Sequence, residues 1–188
     1  CLVGSEMCIR DSPEIELEVV EAGGIDSLRM IENEELDLAV TNYDDSFSPN
    51  LHYRKLFKSE ACFCTYPDHP LAQKKYVDTK DIANEPLVLL NGGFFVNRLI
   101  YQNFQQALTA PKVILHSSQL HTVKNLISSQ IASSFLMRQA ITASDNIIPL
   151  SLKKPLFINS GIVTKRGRQI YGDEQKLIEF ICDNQPLG

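Results

Sequence analysis

No apolar run in this chain is long enough to span a bilayer, and no positively charged start followed by an apolar segment marks it for secretion. A cytoplasmic location is therefore expected. Basic charge is scarce as well: 18 lysines and arginines stand against 23 acidic residues, a net charge of -5. That balance repels nucleic acid, so any DNA binding is expected from a part other than this segment. Neither GxGxxG nor GxxxxGK followed by Ser or Thr occurs, which removes the footing for a nucleotide. Five cysteines at irregular spacing lack the pattern of a disulfide framework and read as reduced thiols. Internal repeats, low-complexity tracts and Gly/Ser-rich linkers are also missing, so two lobes, if present, share strands.

What is present is ordinary globular composition: 188 residues, 44% hydrophobic and 22% charged, enough for one domain or two small lobes with real cores. Cys1 to Ser12, CLVGSEMCIRDS, shows no clear period. It resembles a segment that recurs at the ends of unrelated conceptual translations, where sequencing-adapter sequence has been read as protein. Residues 1–12 are set aside as adapter-derived, the alternative being a native N-terminal coil.

From Pro13 the pattern becomes regular. Ile15, Leu17 and Val19 alternate with glutamates, the period of a half-buried strand that Gly23 and Gly24 end. Ile25, Leu28 and Ile31 follow at helical spacing, and Leu36 to Val40 reads as a short strand. An extended stretch runs from Leu51 to Tyr66, where Pro67 and Pro70 break it. Further strands are expected at Leu87–Leu90, Val113–Leu115, Ile131–Leu136, Ile147–Leu150 and Leu156–Val163. Helices are expected at Phe95–Leu108, over Leu120, Val123 and Ile127, and at Asp173–Cys182 with the stripe Leu177, Ile178 and Ile181. Asp173 and Glu174 suit that last helix's N-terminus. Strands alternating with helices point to an α/β architecture with mainly parallel sheets.

The chain resembles the effector-binding domain of LysR-type transcriptional regulators. The pieces that carry the resemblance are PEIELEVVEAGG at 13–24, ELDLAV at 35–40, YPDHPLA at 66–72 and DIANEPLVLL at 81–90. VILHSSQLHTVKNLISSQIASSFL at 113–136 and GIVTKRGRQ at 161–169 fit more loosely. The resemblance implies a two-lobed fold similar to type 2 periplasmic binding proteins, crossed twice by the chain, at Glu60–Tyr66 and at Ile158–Val163. Lobe I would comprise residues 13–60 and 162–188, and lobe II residues 61–161 with the crossover strands. Family members also carry a winged helix-turn-helix, a linker helix, and a first strand and helix of lobe I, none of which is found here. The family's usual glycine before the LD strand is Glu34 in this chain, and Gln130 with Ala132 replace glycines after the long lobe II helix. A left-handed cap at Gln130 would cost about 1 kcal/mol.

In open α/β sheets, ligands sit beyond the carboxyl ends of strands, where helix starts present unpaired N–H groups. That rule selects Thr41 and Asn42, then Gly92, Gly93 and Phe94 within NGGFF, then Ser117, Ser118 and Gln119. Cys64 and Ser160, on the crossover pair, complete the candidate effector site. Hydroxyls, amides and N–H groups suit a small carboxylate or amino-acid-like effector. The plain alternative is that Ser118 is an N-cap and Gly92 and Gly93 a turn. The resemblance further implies a homodimer or homotetramer, with Glu14–Glu21 and Leu120–Ser129 at its face. DNA contact would come only through the winged helix-turn-helix.

Residues 62–70, CFCTYPDHP, raise the competing reading of a metal or redox centre. Cys62 and Cys64 share a face of an extended strand, too far along it for an unstrained disulfide, and no second CxC or HxxxH pair completes a zinc site. His69 reads as part of a turn. A nucleophilic Cys64 with His116 or His121 lacks a local motif. The basic run Lys165, Arg166 and Arg168 reads as solvated charges on a loop. No catalysis, cofactor, metal or membrane contact is expected. The main alternative function is an extracytoplasmic solute-binding protein of a transporter, which would share the fold.

Overall fold

The computed structural model describes residues 17–44 and 47–184. Among these described residues, four helices and eight strands occur in the order α1 (Gly24–Glu32), β1 (Leu38–Tyr43), β2 (Leu51–Thr65), β3 (Tyr76–Val77), β4 (Leu87–Leu90), α2 (Phe95–Gln106), β5 (Val113–Ser117), α3 (Leu120–Ser128), β6 (Ser134–Met137), β7 (Ile148–Leu152), β8 (Leu156–Lys165) and α4 (Gly172–Asp183). Strands β1, β8, β2, β7 and β3 lie side by side in that order, with β6 also on β2, and β4 and β5 form a separate parallel pair.

Two hydrophobic clusters form along this frame. The first gathers Leu28, Ile31, Ala39, Tyr43 and Leu51 with Phe95, Ile158 and Val163. The second, larger one begins at Ala61 and takes in Phe63, Leu87–Leu90, Ile100, Phe104, Val123, Ile127 and Phe135. The ribbon that joins them is the antiparallel pair β2 and β8, paired from Leu51 opposite Lys165 to Ala61 opposite Leu156 with a register shift between Lys55 and Phe57. This is the mixed α/β, two-lobed architecture the sequence leads one to expect.

Several details differ. Pairings are mostly antiparallel, because β2 and β8 carry the chain between the clusters in opposite directions and β1, β6 and β7 dock antiparallel onto them. The first crossing does not lie at Glu60–Tyr66: Ala61 to Cys64 are already core of the second cluster. Leu17 to Gly23 form no strand, although their alternation is right for one, and Val19 and Val20 stay exposed. A strand needs a neighbour to pair with, and alternation alone cannot supply it; residues 13–16 lie outside the described residues. Strand β6 starts at Ser134, not Ile131, since Ile131 is spent closing a helix cap. In α4 only Ile178 of the expected stripe is buried.

Helices α1, α2 and α3 all end in the same six-to-one plus five-to-two hydrogen-bond motif. The paired bonds are Glu35 N to Met30 O with Glu34 N to Ile31 O, Thr109 N to Phe104 O with Leu108 N to Gln105 O, and Ile131 N to Leu126 O with Gln130 N to Ile127 O. Each puts a non-glycine residue in the left-handed region: Glu34 at φ 63°, Leu108 at 55° and Gln130 at 60°. The cap expected at Gln130 is therefore formed. Leu108 is 95% exposed and gains nothing from packing. Leu108→Gly is expected to raise stability by about 1 kcal/mol, read as a higher urea midpoint at unchanged slope.

The basic run is not a set of solvated charges. Lys165 pairs with Glu34, and Arg168 bridges Asp37 at 2.7 Å and Glu174 at 2.6 Å. Glu174 also accepts the Tyr171 N–H at 3.0 Å, so it caps α4 as its acidic start suggested. A second anchored carboxylate, Asp145, accepts from Lys124 Nζ at 2.7 Å, Thr142 N at 2.6 Å and Thr142 Oγ1 at 2.9 Å. The Lys124 bond, then the Thr142 amide, hold its pKa down to about 2. Because this folded value lies below the unfolded one of about 3.9, the contribution is complete above that pH and is lost as pH falls towards the folded value. Acidification through that window should lower the thermal midpoint of the native chain more steeply than that of Asp145→Asn.

Candidate functional site

The two clusters meet at the start of α1. Gly23 has ordinary extended torsions, φ -66° and ψ 152°, so its smallness serves close approach, not an unusual backbone. A Cβ at Gly23 would stand 2.5 Å from the Gly93 carbonyl oxygen, and one at Gly24 would stand 2.7 Å from the Asn42 carbonyl oxygen and 3.0 Å from Thr41 Oγ1. Across this gap the first-turn N–H of Ile25 donates to the Gly93 carbonyl at 3.0 Å. Helix N-termini leave such N–H groups unpaired and favour negative charge. Here a carbonyl dipole from the NGGFF turn occupies the position.

That turn spans the junction. Phe94 packs against the second cluster while Phe95 is buried in the first, edge-on to Phe47 at 6.0 Å. Asn97, one turn into α2 and 4% exposed, steadies it by donating from Nδ2 to the carbonyls of Leu90 and, at 2.9 Å, Asn91. Its Oδ1 is a buried acceptor without a partner among the described residues. On the facing side, Asn42 Oδ1 accepts from Ser160 Oγ at 2.5 Å, tying the end of β1 to β8.

The structure thus brings Thr41, Asn42, Gly93 and Ser160 to one junction, with the exposed Gly92 and half-buried Phe94 flanking it. Ser117 reaches it through the backbone, its carbonyl accepting from Asn91 N at 2.9 Å. Ser118 and Gln119 are exposed, and the hydrogen bonds of Gln119 stay within its own turn. Ser118 is not the N-cap of α3: Gln119 holds that position, and the Ser117 hydroxyl accepts its N–H.

Cys64 does not belong to the junction. It is 0% exposed, paired opposite Ser134 and Pro149, with its thiol directed to the Cys62 carbonyl at 3.4 Å. Burial pushes the Cys62 thiol up to about 12 and Cys64 higher still, so neither supplies a thiolate at neutral pH. A thiol-reactive aromatic disulfide should therefore modify the half-buried Cys182 in the native chain and reach Cys62 and Cys64 only after unfolding, as peptide mass mapping would show. His69 sits where the turn reading put it, capping Pro70–Gln73, with Nδ1 accepting from Leu71 N and Nε2 donating to Glu85, both at 3.1 Å. His116 leans on the Leu90 carbonyl at 3.4 Å.

Sequence reasoning passed over Gly23, Gly24, Ile25 and Asn97. The usable signal is the glycine pair opening a helix, which local alternation presents only as a strand end.

Two lobes sharing an antiparallel ribbon, with glycines and amides at their junction, have the architecture of a two-lobed binding domain. The chain belongs to the LysR substrate binding domain family, which it matches over residues 8–185. It is 24% identical over 163 residues to the transcriptional dual regulator GltC of Bacillus subtilis, covering 82% of this chain and 52% of that protein. MetR of Escherichia coli is 32% identical over 77 residues, 41% of this chain and 24% of that regulator. The chain spans about half the length of the first curated relatives, or less. Among solved structures, the Synechocystis CcmR regulatory domain in complex with 2-PG superposes with a TM-score of 0.84 at 17% identity, over 95% of this chain and 88% of that one. The effector-binding domain of QuiR in complex with shikimate gives 0.74 at 18% identity, over 97% and 90%. Among the described residues, no helix is long and apolar enough to cross a membrane.

Proposed function

We propose that this chain senses a small carboxylate or amino-acid-like effector at the junction of its lobes and performs no catalysis of its own. The observation that carries the reading is the Gly93 carbonyl seated on the Ile25 N–H. A carboxylate oxygen can take the same place and gains more from the helix N-terminus than a carbonyl does. Thr41, Asn42 and Ser160 supply further polar groups, with Gly92 and Phe94 at the margin. Ser117, Ser118 and Gln119 form an outer edge, and Cys64 drops out of the set. Since the effector competes with a bond between lobes, it favours one lobe arrangement over another, as any ligand-driven shift requires.

In the cytoplasmic full-length regulator, a winged helix-turn-helix would read that shift on DNA. Residues 13–60 with 162–188, and 61–161, are the natural lobe units, apart from Phe95 and Ile158, which belong to the first core. A homodimer or homotetramer is favoured by the exposed apolar side chains Ile114, Leu115 and Leu120 on β5 and α3. Glu14–Glu21, the other expected part of that face, lies partly outside the described residues. The transporter alternative is not favoured, as the relatives are transcriptional regulators.

The test is a thermal-shift screen of small carboxylates and amino acids on the full-length regulator. At least one is expected to raise the midpoint, and Thr41→Val with Asn42→Ala should remove that shift. If every ligand-induced shift survives both substitutions, the site is elsewhere.

A further inference from the structure

A cavity of about 330 Å³ opens beside the junction, and none of the residues proposed for the effector lines it. Its walls come from all the parts the lobes share: Asp44 just after β1, Lys58 on β2, Phe157 and Asn159 on β8, and Arg98 and Gln102 on α2. Strand register places Tyr43 opposite Asn159 and Asn159 opposite Lys58, so ring, amide and ammonium stand side by side on one face of the sheet.

The chemistry of the wall is specific. Lys58 Nζ lies 4.6 Å from the centroid of the Phe157 ring, which is 48% exposed and offers a flat apolar platform. Among the described residues neither Lys58 nor Arg98 forms an ion pair, whereas Arg138, Lys124 and Arg168 all do. Among the described residues of the lining, Lys58 and Arg98 stand against one carboxylate, Asp44. The volume lies at the small end of metabolite sites.

We propose that this cavity is a second ligand site, taking a small aromatic or unsaturated monocarboxylate with its ring on Phe157 and its carboxylate between Lys58 and Arg98. Asn159 and Gln102 offer amide hydrogen bonds at the sides. Arg98 is the stronger partner, because its guanidinium presents a planar fork to a carboxylate. The site is distinct in its residues from the effector site at Gly93, and because its walls belong to both lobes, its occupancy also bears on how they sit together.

The experiment is a benzoate titration of the isotopically labelled chain, followed by amide NMR shifts. Saturable shifts are expected at Arg98, Phe157 and Asn159. Arg98→Gln should weaken binding about tenfold, with a smaller loss for Lys58→Gln. Both positions are exposed, so both variants should fold, and unchanged native spectra would show it. Benzamide, which keeps the ring without the charge, should bind more weakly than benzoate. The proposal is overturned if shifts cluster on Thr41, Asn42 and Gly93 and spare Phe157 and Asn159. It is equally overturned if both variants bind benzoate like the native chain, or if no saturable shift occurs at any benzoate concentration the protein tolerates.

Discussion

Gly161→Ala should lower the stability of the whole domain by about 3 kcal/mol, the upper end of what overpacking costs. Gly161 lies in β8 opposite Lys55, where the register with β2 slips before Phe57 meets Ser160. Beside this slip, a Cβ at Gly161 would stand 2.2 Å from the Arg54 carbonyl oxygen. No rotamer can relieve a clash between two backbones. Either the bulge is lost, shifting the side chains that follow, or the strands part where they join the two clusters. In a chain of this size the loss amounts to a midpoint about 10 °C lower. An unchanged midpoint would mean that the bulge rearranges without cost and that the close approach of Gly161 to the Arg54 carbonyl does not stabilise the ribbon.

Gly23→Ala should act on the arrangement of the lobes more than on their cores. Its Cβ would stand 2.5 Å from the Gly93 oxygen and 2.6 Å from the Gly93 carbonyl carbon, so the NGGFF turn must retreat. The Ile25 N–H then loses its acceptor, a cost of about 1 kcal/mol, while no polar side chain has been removed. Gly93→Ala is a gentler probe. Its added methyl meets the Asp26 carboxylate, a flexible group able to swing into solvent. Exchange of the Ile25 amide with solvent deuterium should accelerate markedly in Gly23→Ala and much less in Gly93→Ala. Equal protection in native and Gly23→Ala chains would show that the bond does not hold the lobes together.

Much of the fold was legible because local periodicity and burial agreed. The helices over Ile25–Ile31, Phe95–Leu108 and Leu120–Ile127, and the long strand from Leu51, all lie where their spacing placed them. What was not legible depends on partners distant in sequence. The alternation at Leu17 and Val19 reports strand propensity, not the presence of a neighbour. Cys64 sits on the strand expected to cross between lobes, but the crossing ends before Ala61, and nothing local marks where one core gives way to the next. Lys165 looked solvated because its carboxylate, Glu34, is more than a hundred residues away in sequence, as is Asp37, one of the two partners of Arg168; the other, Glu174, lies only six residues on. Thr41, Asn42 and Gly93 could be named from the rule that ligands lie beyond strand ends. The contact of Gly93 with Gly23 could not, since it arises only when the lobes are folded together.

The central claim is that an effector displaces the Gly93 carbonyl from the Ile25 N–H. The most direct measurement is the amide signal of Ile25, followed by NMR while a carboxylate that raises the thermal midpoint is added. The account predicts a large saturable shift of that signal, together with those of Thr41, Asn42 and Gly93, at the concentration that stabilises the protein. A ligand that stabilises the protein while leaving the Ile25 amide unmoved would contradict it.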